Sequence, residues 1–254
     1  MAQVGVVQFP GTNCELDAVE AVRHLGGSAT LLWHGDADLG GVDAVIVPGG
    51  FAHGDYLRPG AIARFSPVMA AVVDFAERGG PVVGICNGFQ VLTEAGLLPG
   101  ALQKNRDLKF LCTTTELEIT STDSVLTRRL AVGDRLRIPI NHFEGNYTCA
   151  PETLADLQAH DRIVVRYVDN PNGSVADIAG ICNEGRNVVG LMPHPERACH
   201  RLLGSQDGRS SWARCSTARS APPSEIRVED AQVAREMPAS LSTAAGTPAS
   251  RHAA

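Results

Sequence analysis

Short apolar runs alternate with amphipathic segments over the first 95 residues of the chain. The runs are rich in β-branched residues and predict buried strands at Val4–Phe9, Ala29–Trp33, Ala44–Val47 and Val82–Ile85. Apolar residues at helical spacing lie between them, from Leu16 to Leu25 and from Val68 to Phe75. Strands that alternate with helices in this way predict an α/β fold, with a mostly parallel sheet and helices on both faces.

The pattern becomes richer in β structure after residue 108. Strands are predicted at Phe110–Ile119, Leu136–Ile140 and Ile163–Val168, and a short apolar strand follows at Val188–Met192. This region therefore favours a mixed or antiparallel β extension of the sheet.

The composition changes again at residue 210. From there to residue 254 the chain is rich in Ala, Ser, Pro, Thr and Arg and has few large apolar residues. Such a segment buries too little surface to offset the entropy of ordering it. We therefore expect residues 1–209 to form one domain and residues 210–254 to form a low-complexity, disordered tail.

Charge and cysteine content narrow the class of protein. The net charge of −6 argues against nucleic acid or an anionic membrane as the main partner. No apolar run approaches the roughly 20 residues that span a bilayer, and the chain opens without the pattern of a signal peptide. The seven cysteines include no Cys-x-x-Cys pair, which favours reduced thiols and a cytoplasmic protein.

The segment from Pro81 to Gln90 carries the most informative pattern in the chain. Its apolar strand ends at Cys86, with Gly84 and Gly88 two residues away on either side, and a helical pattern follows at once. This is the spacing of a nucleophile elbow, in which a sharp turn exposes the reactive atom at the carboxyl edge of a sheet. The first amides of the next helix can there stabilise a thiolate and an oxyanion. Cys86 is the candidate nucleophile, although a buried free cysteine is also a common structural residue.

A base for Cys86 is expected from the segment that follows the last apolar strand, Pro193-His194-Pro195-Glu196. Because each proline disfavours helical geometry in the residue before it, the segment is predicted to be extended. His194 and Glu196 then point the same way. Glu196 can orient the imidazole toward the thiol, which is the arrangement of a catalytic triad.

A zinc site is the competing interpretation of the same segment. Cys199 and His200 follow His194 and Glu196, and these residue types suit zinc. However, no second ligand pair at finger-like spacing is nearby, and a loop stiffened by proline brings few of these side chains together. The expectation is a catalytic pair without a metal.

The turn Pro48-Gly49-Gly50 follows the predicted strand Ala44–Val47, so it reaches the same edge of the sheet as Cys86. Glycine at both positions lets the backbone approach a substrate closely. We expect the amides of Gly50 and Asn87 to form an oxyanion hole, although an ordinary turn also explains the two glycines. These parts predict a cysteine acyltransferase or hydrolase without identifying the acyl group.

Three features together resemble the class I, or triad-type, glutamine amidotransferases. They are Pro48-Gly49-Gly50, the cysteine elbow with Gln90 four residues after Cys86, and His194-Pro195-Glu196. The resemblance covers about residues 3–209 and implies a flavodoxin-like domain with a mostly parallel central sheet and a β extension. Segments 49–60, 86–90 and 142–147 narrow it to the glutaminase subunits of de novo purine biosynthesis, with Phe143 where glycine is common.

The resemblance implies a chemistry and a set of contacts. Cys86 would form a γ-glutamyl thioester and release ammonia from glutamine, with His194 and Glu196 completing the triad. Gly49, Gln90 and His142 would contact the glutamine.

The resemblance also implies partners and the place of the cofactors. The ammonia would pass to a large ATP-dependent synthetase subunit, accompanied by a small accessory subunit, which converts formylglycinamide ribonucleotide to its amidine. The sequence contains no G-x-x-x-x-G-K-[ST] phosphate loop. We therefore expect no cofactor on this chain, and ATP and Mg²⁺ on the large subunit.

A peptidase would need an open groove, which the sequence does not reveal, and two further functions stay open. One is the glutaminase of a different amidotransferase. Asn87, where many such proteins have leucine, and the unusually long segment 51–60 argue against it. The other is a cysteine-elbow protein that senses oxidation or binds a partner without turnover, because activated thiols oxidise readily. Such a protein would need neither Glu196 nor Gln90.

Overall fold

A nine-stranded sheet is the centre of residues 2–209, the part of the chain that the computed structural model describes. The predicted tail at residues 210–254 lies outside this part. The helices are α1 (Glu15–His24), α2 (Pro67–Glu77), α3 (Asn87–Glu94) and α4 (Pro151–Ala159). The strands are β1 (Gln3–Gln8), β2 (Ser28–Trp33), β3 (Ala44–Val47), β4 (Val82–Ile85), β5 (Ala101–Gln103), β6 (Leu111–Ile119), β7 (Arg135–His142), β8 (Asn146–Thr148), β9 (Ile163–Tyr167), β10 (Ile178–Cys182) and β11 (Val188–Leu191).

The sheet has a parallel half and an antiparallel half. Its strand order is β2-β1-β3-β4-β11-β10-β9-β6-β7, and the first five of these strands run parallel. From β10 onward every neighbouring pair is antiparallel. Both halves confirm the sequence-based prediction of a mostly parallel sheet with a β extension. Strands β5 and β8 form a separate antiparallel pair.

The central strands β3, β4 and β11 are buried along their whole length. Parallel strands with helices on both faces have no side that meets water, which explains why these segments are continuously apolar rather than alternating. The carboxyl ends of β3 and β4 lie side by side, because Val47 pairs with Gly84. This edge is where α/β folds of this kind place their sites.

Helix α4 and strand β10 carry weak sequence signals and were not predicted. Only Leu157 of α4 is buried, so the helix has almost no apolar periodicity to detect. Strand β10 reads Ile-Ala-Gly-Ile-Cys, and its central small residues hide the strand pattern. No helix among residues 2–209 has the length and apolar content needed to cross a membrane.

Candidate active site

Cys86 occupies the turn between β4 and α3, and its backbone adopts φ 52° and ψ −109°. A residue with a side chain rarely takes this conformation, which is costly unless the surroundings hold it. The Cys86 N–H donates to the carbonyl of Leu191 at 2.8 Å, and the Cys86 carbonyl accepts from Gln90 N–H at 3.2 Å. The neighbouring strand and the first turn of α3 therefore hold the elbow from both sides.

The two glycines that flank Cys86 are required by close packing. A Cβ on Gly84 would lie 2.6 Å from Leu92 Cδ1, and a Cβ on Gly88 would overlap the carbonyl oxygen of Val47. Helix α3 thus approaches β3 and β4 more closely than any side chain at these positions would allow.

His194 is 1% exposed, and its Nδ1 lies 2.5 Å from Glu196 Oε1. Its Nε2 has no hydrogen-bond partner among the described residues. Glu196 belongs to a 3₁₀ turn at Pro195–Ala198, so the prediction of an extended segment is wrong after His194. Proline suits the first position of a helical turn as well as an extended chain, and here the turn is the outcome. The contact between imidazole and carboxylate forms nonetheless.

Charges around His194 favour its protonated form. Burial disfavours the imidazolium, but the Glu196 carboxylate, together with the sulfurs of Cys86 and Cys14, raises the pKa of His194 well above its usual 6.5. An imidazolium beside Cys86 is the form that pairs with a thiolate.

Cys14 is a member of this cluster that sequence reasoning missed. Ligand-type atoms of Cys14, His194 and Glu196 lie within 4.8 Å of one another. Arg197 Nη2 donates to Cys14 Sγ at 3.2 Å, and Arg197 Nε donates to Asp17 Oδ2 at 3.0 Å. Cys14 follows β1, whose carboxyl end reaches the same edge of the sheet, and this topology is the signal that could have found it.

The structure separates the residues of the zinc interpretation. Cys199 Sγ donates to the carbonyl of Pro195 at 3.1 Å, and His200 Nδ1 accepts from Leu202 N–H at 3.2 Å. Neither side chain joins His194 and Glu196. The possible metal ligands that do lie together are Cys14, His194 and Glu196, and the contact between His194 Nδ1 and Glu196 suits a catalytic pair as well.

The Pro48-Gly49-Gly50 turn meets this cluster as the sequence predicts. A Cβ on Gly49 would lie 2.8 Å from His194 Cε1 and 3.2 Å from Cys14 Sγ, so only glycine lets the imidazole approach. Gly50 has φ 142° and lines the cavity beside Cys86. Among residues 2–209, the backbone hydrogen bonds of turns, loops and helix ends include none that is donated by the amide of Gly50 or of Asn87.

A cavity of about 90 Å³ opens beside Cys86. The predicted residues Gly50, Cys86, Gln90, His142 and His194 line it, together with Cys14, Phe51, Asp55, Phe110, Glu144 and Arg197. Gln90 is held in place, since its Nε2 donates to the carbonyl of Glu144 at 2.5 Å and its Oε1 accepts from Asn87 Nδ2 at 2.9 Å. Glu196 is buried in contact with His194, and Gly49 packs against His194 and Cys14; neither Glu196 nor Gly49 lines the cavity.

Asp55 is a second cavity residue that the sequence did not single out. Its Oδ1 accepts from Asn87 Nδ2 at 3.0 Å, while Asn87 Oδ1 accepts from Ala52 N–H at 3.0 Å. Burial raises the pKa of Asp55 to about 6, the hydrogen bond from Asn87 opposes this, and the nearby Glu144 adds to it. Asn87, the residue after the candidate nucleophile, therefore holds the loop that carries Asp55 through its side chain.

Comparison with known families gives a match along most of the chain. A model of the CobB/CobQ-like glutamine amidotransferase domain matches residues 1–219. This range includes Cys86, His194 and Glu196.

The match to this chain spans nearly the full length of individual relatives. The chain is 59% identical over 206 residues to the phosphoribosylformylglycinamidine synthase subunit PurQ of Rubrobacter xylanophilus, covering 81% of this chain and 94% of that relative. It is 55% identical over 214 residues to the same subunit of Koribacter versatilis, covering 80% and 93%. Among solved structures, it is similar to a chain in PurLQS from Thermotoga maritima, with a TM-score of 0.79 and 40% identity, covering 85% and 98%.

Proposed function

The chain belongs to the CobB/CobQ-like glutamine amidotransferase family, and on that premise we propose that it is the glutaminase subunit of a phosphoribosylformylglycinamidine synthase. The observation that carries the proposal is the buried His194–Glu196 pair, whose free Nε2 shares one cavity with Cys86 on a strained elbow. The two relatives that are 59% and 55% identical to this chain over the aligned residues bear that subunit name, which favours this synthase over another amidotransferase.

In the proposed reaction, the Cys86 thiolate attacks the carboxamide carbon of glutamine. The resulting oxyanion is stabilised by the backbone amides of Gly50 and Asn87. His194 gives its proton to the nitrogen, the C–N bond breaks, and ammonia leaves a γ-glutamyl thioester on Cys86. His194 then takes a proton from water, which attacks the thioester and releases glutamate.

Glu196 acts through His194 in this mechanism. It accepts the Nδ1 hydrogen, fixes the ring so that Nε2 faces the cavity, and stabilises the imidazolium. Gly49 lets the ring approach, and Gln90 forms part of the cavity wall.

The ammonia would be used by a synthetase subunit of the same complex. The Thermotoga maritima structure is a PurLQS assembly, so we assign a PurL-type synthetase and a small PurS-type protein as partners of this chain. ATP and Mg²⁺ belong to the synthetase in this proposal, and the whole assembly is an ATP-dependent C–N ligase with a glutaminase, or hydrolase, component. The described cysteines are free thiols, which supports a cytoplasmic location.

Ammonia release from glutamine tests the proposal. The full chain is mixed with the synthetase, the accessory subunit, formylglycinamide ribonucleotide and ATP, and ammonia and amidine are both measured. Release that requires the partners and the ribonucleotide is the expected result. No release, while the synthetase still uses added ammonium, would contradict the assignment. The same assay on a chain that ends at Arg209 tests whether residues 1–209 suffice.

A further inference from the structure

A second imidazole lines the cavity, and the mechanism above leaves it unused. His142 ends β7, is 4% exposed, and its Nε2 has no hydrogen-bond partner among residues 2–209. A buried polar atom without a partner is costly, so native proteins commonly satisfy it with an ordered water or a bound ligand. The position of His142 on the cavity wall makes the substrate the natural ligand.

Asn105 determines which His142 nitrogen carries hydrogen. Its Nδ2 donates to the carbonyls of Lys109 and His142, each at 2.9 Å, so its Oδ1 is the accepting end. That oxygen accepts from Gly145 N–H at 3.2 Å and lies 3.1 Å from His142 Nδ1. Nδ1 therefore bears the hydrogen, and Nε2 presents a lone pair.

The ring is fixed and stays neutral. Gly145 covers it so closely that a Cβ there would overlap the imidazole. Burial and the neighbouring His194 lower the pKa of His142 to about 4. The cavity thus holds one imidazole that favours the cation and donates, and one that is neutral and accepts.

We propose that His142 Nε2 accepts a hydrogen bond from the carboxamide NH₂ of glutamine, so that the site recognises an amide rather than an ester. The inference rests on the proposed glutaminase function and names the chemical group, the carboxamide, that the cavity recognises. Glutamine carries N–H donors only on its carboxamide and its α-ammonium. The acidic residues Asp55 and Glu144 line the same cavity and suit the cationic group, which leaves the neutral acceptor for the neutral amide.

This contact also serves the proton transfer. An acceptor on one N–H increases electron density on the departing nitrogen, which favours its protonation by His194 while the C–N bond breaks. Because His142 stays neutral near pH 7, it takes no proton from the ammonia that forms.

Two substitutions separate this role from a structural one. His142→Asn keeps an amide beside Asn105 but has no atom at the Nε2 position, whereas His142→Gln reaches that position with its terminal amide. Each variant is assembled with its partners and given glutamine or glutamate γ-methyl ester, whose leaving group has no N–H.

The expected result is a loss of about tenfold to a hundredfold in kcat/KM for glutamine in His142→Asn, which is the value of one buried hydrogen bond. Hydrolysis of the ester should change less than about threefold, and His142→Gln should recover part of the glutamine activity. Equal losses on both substrates, or no loss on glutamine, would overturn the inference. Failure of the proposed function itself would differ, since the unmodified complex would then release no ammonia.

Discussion

Gly88 packs directly against the carbonyl oxygen of Val47, and the gap between them does not admit one more carbon atom. The contact joins the first turn of α3 to the end of β3. It therefore sets how closely the helix that follows Cys86 can approach the Pro48-Gly49-Gly50 turn. The elbow is a packing arrangement of two elements as well as a local backbone conformation.

Gly88→Ala should disrupt this arrangement. The added Cβ meets backbone rather than a flexible side chain, so we expect a loss of several kcal/mol in unfolding free energy and little soluble protein. Thermal unfolding measures the effect. Gly35→Ala is the matched control, because its nearest neighbours lie 3.3 Å away in the Trp33 side chain. Similar melting temperatures for the two variants would contradict the packing argument.

Cys86→Ala should separate the two nitrogen sources of the synthase. The thiol acts only on glutamine, so glutamine-dependent amidine formation should vanish while formation from added ammonium persists. Both activities are read in the same assembled complex. Loss of the ammonium-dependent activity as well would show that Cys86 has a structural role.

Glu196→Gln tests the orienting residue without leaving a cavity. The amide keeps the shape and a hydrogen bond to Nδ1 but removes the charge that favours the His194 imidazolium. We expect kcat/KM for glutamine to fall by at least about a hundredfold, with little change in melting temperature. A large drop in melting temperature with nearly normal turnover would instead assign Glu196 a structural role.

Asp55→Asn should stabilise the protein in a pH-dependent way. Because the pKa of Asp55 is raised from 3.8 to about 6, the folded state holds this proton more tightly than the unfolded chain. Ionisation therefore lowers stability as pH rises through this window. The variant should melt above the unmodified protein at pH 7, and the difference should disappear near pH 4.

Asp107→Asn provides the control for this measurement, since Asp107 is exposed and lies outside the cavity. A constant offset for Asp55→Asn from pH 4 to pH 7 would show that the carboxyl group titrates alike in the folded and unfolded chains.

Local sequence patterns predicted the parallel half of the sheet well. Strand β3 has the predicted bounds, and Cys86 lies at the predicted turn between β4 and α3. These features depend on short-range signals, namely apolar runs, glycine spacing and the order of strands and helices. The expected 210–254 tail stays a prediction, as do the catalytic roles of the site residues.

Long-range placement lay beyond sequence reasoning. Asn105 fixes the His142 tautomer from 37 positions away in the chain, and Arg197 reaches Cys14 across 183. No periodicity encodes such pairs, because they depend on how loops from different strands meet at one edge. The 3₁₀ turn after His194 was missed because proline permits both a turn and an extended chain.

The position of Cys14 has a practical consequence for chemical labelling. Two sulfurs, those of Cys14 and Cys86, border one cavity beside the same imidazole. A thiol-directed electrophile that enters the cavity can alkylate either sulfur and block glutamine in both cases. Inactivation by such a reagent therefore does not identify the nucleophile, and the modified peptide has to be sequenced. A chain with Cys14→Ala would reduce the count of reactive sites in the cavity from two to one.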